Sequence, residues 1–363
     1  MGVSSITPIL PLVASTFDIT VGRAAMLITV YTLPGIFLTP VLGMLADMVG
    51  RKTVLVPSML LFGIAGFACS FANSYEQLIF FRFIQGVGSA AIGALNVTMV
   101  GDIFSGNQRA EAMGYNSAVL SIGATLYPVI GGALAIIGWY APFYLPLLAI
   151  PVAFIILFYL HNPEPEKSSD VGAYLKKVLK NLKNRRLLML FAATMVSFIL
   201  LYGPILTMIP FLIEARFTES SFLIGLLLSS VSISNGITAV NAGRLSRRFR
   251  PEALVRLSFI LYVAALLMMP FAPGLLWLSV PVVLYGIGQG MNIPILITMI
   301  AGEAALENRG AIMSLNGMVI KIAQTIAPIV MSFVYVIGGF DGVFILSAAL
   351  AIMITILLFF KLR

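Results

Sequence analysis

Two cations stand alone inside apolar sequence: Arg82, within LIFFRFIQGVGSAA, and Lys321, within LNGMVIKIAQTIAP. An ionised side chain at hydrocarbon depth costs several kcal/mol, so each must bond carbonyls, bind an anion or take part in proton movement. Arg82 lies about four residues into its segment, close enough to the end to snorkel outward. Lys321 lies deeper, with Gln324 and Thr325 on its helical face and Gln289 and Asn292 in the preceding segment. For Lys321 two readings stay open: an amine bonded to carbonyls, or a cavity charge that binds an anionic group or moves a proton. None of the 14 acids falls mid-segment. A strongly cationic ligand would want a buried carboxylate, so the pattern favours neutral or anionic compounds. One histidine, His161, and one cysteine, Cys69, provide no multi-ligand metal set, no disulfide framework and no nucleophile–base constellation. A membrane-embedded enzyme is therefore disfavoured, and no cofactor is expected.

The elements that position these residues are membrane helices. With 60% hydrophobic residues in 363 and a mean hydropathy of +1.04, the chain carries more apolar surface than a soluble core could bury. A spanning helix needs about 20 apolar residues, and eleven such segments follow residue 20. Residues 3–17 rise only about 22 Å as a helix, so the first helix reads as N-terminally truncated. Of the 22 basic residues, eighteen fall in loops on the side of Gly43–Lys52 or beyond the last segment. The positive-inside rule puts that side in the cytoplasm, with loops 43–52, 161–186 and 243–256 and the C-terminus, and makes nucleic acid an unnecessary explanation of the net charge of +8. Within residues 161–186 a polar stretch with two prolines precedes VGAYLKKVLKNLKNRR. Its apolar residues recur at helical spacing opposite lysines, as in an amphipathic helix on the inner leaflet.

The halves repeat. At an offset of 200 residues Gly43 matches Gly243, Thr98 and Met99 match Thr298 and Met299, and Arg109, Met113, Asn116 and Pro128 match Arg309, Met313, Asn316 and Pro328. Gln85 and Gly86 recur as Gln289 and Gly290 at offset 204, read as a local slip. This ordered run argues for duplicated six-helix halves.

Three motifs then carry a resemblance. GMLADMVGRK packs Gly43, Asp47, Gly50, Arg51 and Lys52 into a tight turn at a membrane surface, RFIQGVGSAA spans Arg82–Ala91, and GATLYPVIGG spans Gly123–Gly132. The second imitates a dinucleotide fingerprint, but inside a membrane helix its small residues serve close helix packing. In this order the motifs resemble the signatures of the major facilitator superfamily, in its twelve-helix drug:proton antiporter branch. The resemblance implies an all-α polytopic fold of two pseudo-symmetric six-helix bundles, residues 1–160 and 187–363, joined by the linker 161–186. It also implies a plasma-membrane protein that exports a small organic molecule by alternating access, with the proton gradient as energy source and a monomer as its state. Its partners would be the bilayer and the small-molecule substrate, with no nucleic acid and no metal. Tyr31, Arg82, Gln85, Tyr127, Asn235, Gln289, Asn292 and Lys321 become candidates for the coupling and substrate cavity. Gly123, Pro128, Gly131 and Gly132 form the antiporter-type hinge, although Tyr127 stands where the motif usually has glycine. Gly43, Asp47, Gly50, Arg51 and Lys52, with Asp102 as the partner of Arg51, become a conformational latch. Rival readings are a transporter-fold sensor or receptor, and an importer or uniporter of a neutral or anionic metabolite.

Overall fold

A computed structural model describes residues 2–160, 184–217, 220–303 and 309–361. The proposed amphipathic helix, its lysines and His161 lie outside these, apart from Asn184–Arg186. The chain divides into two compact units, Met1–Ser169 and Asp170–Arg363.

Among the described residues every regular element is helical. The first unit opens with a 3-10 turn, Thr7–Ile9, and a short α1, Leu10–Thr16. It continues with α2 (Val21–Val49), α3 (Arg51–Ala68), α4 (Tyr75–Ile103) and α5 (Gly106–Leu134), and then a 3-10 segment, Ala141–Leu148, leading into α6 (Ala149–Tyr159). In the second unit, α7 (Arg185–Leu200) passes through a π-helical stretch, Leu201–Met208, into Ile209–Phe217. Pro204 removes a donor there, and Thr207 Oγ1 donates to the Tyr202 carbonyl at 2.5 Å, satisfying part of the disturbed ladder. Next come α8 (Ser221–Arg248), α9 (Pro251–Met268) and α10 (Leu275–Gly302). The last run, Arg309–Lys361, breaks at Gly339, whose φ of 61° only glycine adopts freely; we call its two parts α11 and α12.

Large apolar side chains stay uncovered along the helices, among them Phe37 at 66%, Ile136 at 78%, Val240 at 81% and Phe271 at 83% exposure. Water would not tolerate so many, whereas hydrocarbon does, and helices satisfy their own backbone groups in it. The molecule is an integral, multi-pass membrane protein.

The helix ends give the repeat its register. Caps Thr20 and Ser220, the starts of α3 and α9 at Arg51 and Pro251, the 3-10 ends Cys69–Phe71 and Met269–Phe271, and the starts of α4 and α10 at Tyr75 and Leu275 all differ by 200. Packing keeps the same offset. A Cβ on Gly86 would lie 2.4 Å from the Tyr31 carbonyl oxygen, and one on Gly286 would lie 2.5 Å from that of Val231. Gly88 abuts Ser58 and Phe62, as Gly288 abuts Ser258 and Tyr262. The match of Gln85 and Gly86 to Gln289 and Gly290 is therefore corrected: their counterparts are Tyr285 and Gly286, with no slip. A four-residue shift returns to nearly the same helix face, so the wrong match looked equally good.

Candidate functional site

The first unit builds a buried cationic node where α2 and α4 cross. The close approach at Gly86 brings Arg82, one turn away, against α2, and its side chain is fully enclosed. Its Nε donates to the Leu27 carbonyl at 3.2 Å, Nη1 to Gln85 Oε1 at 2.7 Å, and Nη2 to the Gly2 carbonyl at 2.8 Å. The guanidinium also lies 4.4 Å from the centroid of the Tyr31 ring, a cation–π contact. Arg82 does not snorkel; three oxygens and an aromatic face replace its water. Gln85 is fully buried, and its Nε2 has no hydrogen-bond partner among the described residues. Tyr31, Arg82 and Gln85 thus form one constellation.

Tyr127 stands apart from it. Partly buried on α5, its ring folds back over Gly123 of its own helix. Helix α5 runs through Pro128 without interruption, and a Cβ on Gly131 would strike the Ser5 carbonyl. Gly131 is thus needed for close packing of the N-terminal segment, while Pro128 and Gly132 are buried beside it.

In the second unit Gln289 and Asn292 join a network that sequence reading missed. Tyr262 of α9 donates to Gln289 Oε1 at 2.6 Å, and Asn292 Nδ2 donates to Ser197 Oγ of α7 at 2.6 Å and to the Tyr262 hydroxyl oxygen at 3.2 Å. Tyr285 stacks on Tyr262 with centroids 4.7 Å apart. All five side chains are buried, so the network cements three helices. Tyr285 holds the position equivalent to Gln85, and the corrected register is the signal that finds it. Asn235 contributes its backbone: a Cβ on Gly290 would lie 2.2 Å from its carbonyl oxygen. Lys321, on α11, is only partly buried. Among the described residues its ammonium has no hydrogen-bond or ion-pair partner; Thr325, one turn on, hydrogen-bonds to its carbonyl instead.

At the basic end of the helices, Arg51 is the hub of the loop motif. It pairs with Asp47 at 3.1 Å and with Asp102 through Nε, joining the ends of α2 and α4. Lys52 donates to the Leu160 carbonyl at 3.1 Å, tying in α6. Gly50, with φ 98°, makes the one-residue corner between α2 and α3. Gly43 lies inside α2 rather than in the turn, and among the described residues nothing lies within 4 Å of where its Cβ would sit, so no close backbone approach explains it. The second unit has its own hub, also missed. Arg186 at the start of α7 pairs with Glu252 at 2.9 Å and Glu303 at 3.0 Å, while Asn184 caps α7 and donates to Glu303. Arg247 replaces the acid that Asp47 provides, and a different arginine gathers the helix ends.

The Major Facilitator Superfamily model matches residues 1–319 and 205–363. The chain belongs to the major facilitator superfamily. It is 27% identical over 377 residues to the bacillibactin exporter of Bacillus subtilis (strain 168), an alignment covering 99% of this chain and 92% of that one. With the class B tetracycline resistance protein of Escherichia coli it shares 24% identity over 351 residues, covering 92% and 85%. Among solved structures, a bacterial homologue of the human lysosomal transporter Spinster, inward-facing and unoccupied, superposes with a TM-score of 0.81 at 15% identity, covering 98% of this chain and 92% of that one. The nucleoside transporter NupG (D323A mutant) gives 0.79 at 14%, covering 99% and 96%. The structural likenesses establish the major facilitator fold, and membership of the family identifies a membrane transporter.

Proposed function

We propose that this major facilitator is a proton-coupled secondary exporter of a small organic molecule, acting as a monomer in the cell membrane. The observation that carries the reading is the buried Arg82 node, in a chain whose relatives along its length include one named as a bacillibactin exporter and one named as a tetracycline resistance protein. A guanidinium held by three acceptors at membrane depth is expensive to build and is retained where it serves transport. Tyr31, Arg82 and Gln85 act in coupling; in the second unit the partly buried Asn235 and Lys321 supply substrate-facing groups, backed by the buried Gln289–Asn292 network, and in the first unit the partly buried Tyr127 supplies another. The Arg51 hub, with Asp47, Asp102, Lys52, Gly43 and Gly50, latches one conformation at the basic end, which faces the cytoplasm. The α5 motif of Gly123, Pro128, Gly131 and Gly132 provides the bending that exchange of access requires.

The deciding experiment uses proteoliposomes containing the full chain. An imposed pH gradient is expected to drive uphill movement of a fluorescent organic cargo, and collapsing the gradient with an ionophore is expected to stop it. Flux that equilibrates the cargo without responding to the gradient identifies a uniporter. Saturable binding without flux identifies a sensor.

A further inference from the structure

The two cations inside the membrane helices are in opposite conditions. Arg82 has an acceptor on each of its three nitrogens and a ring against its face, so the protein itself replaces most of its hydration. Lys321 sits twelve residues into α11, about 18 Å along the helix, and its ammonium has no partner among the described residues. The described acids offer no remedy. In the second unit Glu252 and Glu303 are gathered by Arg186, Asp341 is paired with Arg216 at 3.4 Å, and Glu214 lies in the last turn before Phe217. Across the described chain every carboxylate falls within two turns of a helix end or in a connection. The side chains on the face of Lys321 are polar but uncharged: buried Gln324, whose amide can donate to a ligand without neutralising the ammonium, and buried Thr325, whose hydroxyl donates to the Lys321 carbonyl.

An ammonium at this depth is tolerated when a counter-charge or water meets it. We propose that the counter-charge is the cargo: Lys321 is the anchor of an organic anion, and the exporter selects small molecules bearing a carboxylate or comparable acidic group. This rests on the exporter reading above and names its substrate class. Gln324 orients the anionic group, while Arg82 stays outside the binding step because each of its three nitrogens already has an acceptor.

The test uses the full chain in proteoliposomes and small aromatic scaffolds, naphthalene among them, each made as carboxylate, primary carboxamide and aminomethyl cation. Binding is read as a rise in Tm and transport as counterflow. The expected result is preference for the carboxylates, with Lys321→Met weakening them by about 30-fold, as for a truncated buried charge partner. Lys321→Arg restores most of that loss, and the weaker carboxamide binding is unchanged by either substitution. Equal binding of carboxylates and carboxamides, equal loss of both in Lys321→Met, or preference for the aminomethyl compounds overturns the anion assignment but leaves export standing. If no scaffold of any charge is bound or moved by the folded protein, both the exporter reading and the assignment fail. Because methionine replaces lysine at similar volume, an unchanged basal Tm in Lys321→Met separates lost binding from lost folding.

Discussion

Arg82 and Gly86 show how one residue can decide what its neighbours do. The three bonds of the guanidinium replace hydration lost on burial, and hydrogen bonds to a charged group are worth about 1.5–3 kcal/mol each. Arg82→Ala would strand Gln85 Oε1 and two carbonyls, so we expect a lower Tm together with lost flux. Arg82→Lys, able to reach only some of these acceptors, should recover stability more than transport. Equal recovery of both would mark Arg82 as purely structural. The two motif glycines divide in the same way. Gly86→Val drives a side chain into the Tyr31 backbone, an overpacking worth about 1–3 kcal/mol, and thermal denaturation should register it. Gly43→Ala meets open space and should leave Tm unchanged or slightly raised, because alanine is the better helix former. A transport defect in a fully stable Gly43→Ala protein would show that this glycine serves motion rather than packing.

At the scale of elements, each unit gathers its helix ends with one arginine and two acids, but from different positions in the repeat. The Arg51 hub connects the α2–α3 corner to α4 with the arginine side chain 13% exposed, whereas Arg186 joins α7 to α9 and α10 at 48%. Exposed pairs are worth about 0–1 kcal/mol. Arg186→Gln should therefore lower stability by no more than about 1 kcal/mol, measured by thermal or denaturant unfolding in detergent. Asp47→Asn keeps the shape and removes one charge of the other hub. Its expected effect is a population shift toward the inward-open state, read as greater cysteine labelling from the basic end; unchanged labelling would deprive Asp47 of its latch role. Such measurements are helped by Cys69, which is the only cysteine and is fully buried, so the parent protein should label hardly at all with a water-soluble maleimide.

For the whole molecule the open quantities are orientation and coupling. Ser246 is exposed at the basic end of α8, and Ser15 is exposed near the opposite end of the first unit. In intact cells, Ser15→Cys should react with an impermeant maleimide, while Ser246→Cys should react only after permeabilisation. The reverse pattern would invert the assigned topology and, with it, the direction in which the latch faces.

Much of this was decided by local sequence. Spans of about 20 apolar residues, the tight corner at Gly50, the three motifs and the duplication at offset 200 are properties of neighbouring residues or of the sequence compared with itself. They fixed helices, membrane and family without any knowledge of packing. Tertiary structure decided which polar groups are satisfied. Arg82 is bonded to carbonyls 55 and 80 residues away, and every residue carries a carbonyl, so no side-chain pattern announces those partners. Tyr262 and Tyr285 read as apolar core until their helices meet, and a one-turn error in the repeat hid the equivalence of Gln85 and Tyr285, because helix faces recur every three to four residues. Only the packed helices separate the enclosed arginine from a lysine that has no partner among the described residues, since satisfaction depends on what arrives from elsewhere in the chain.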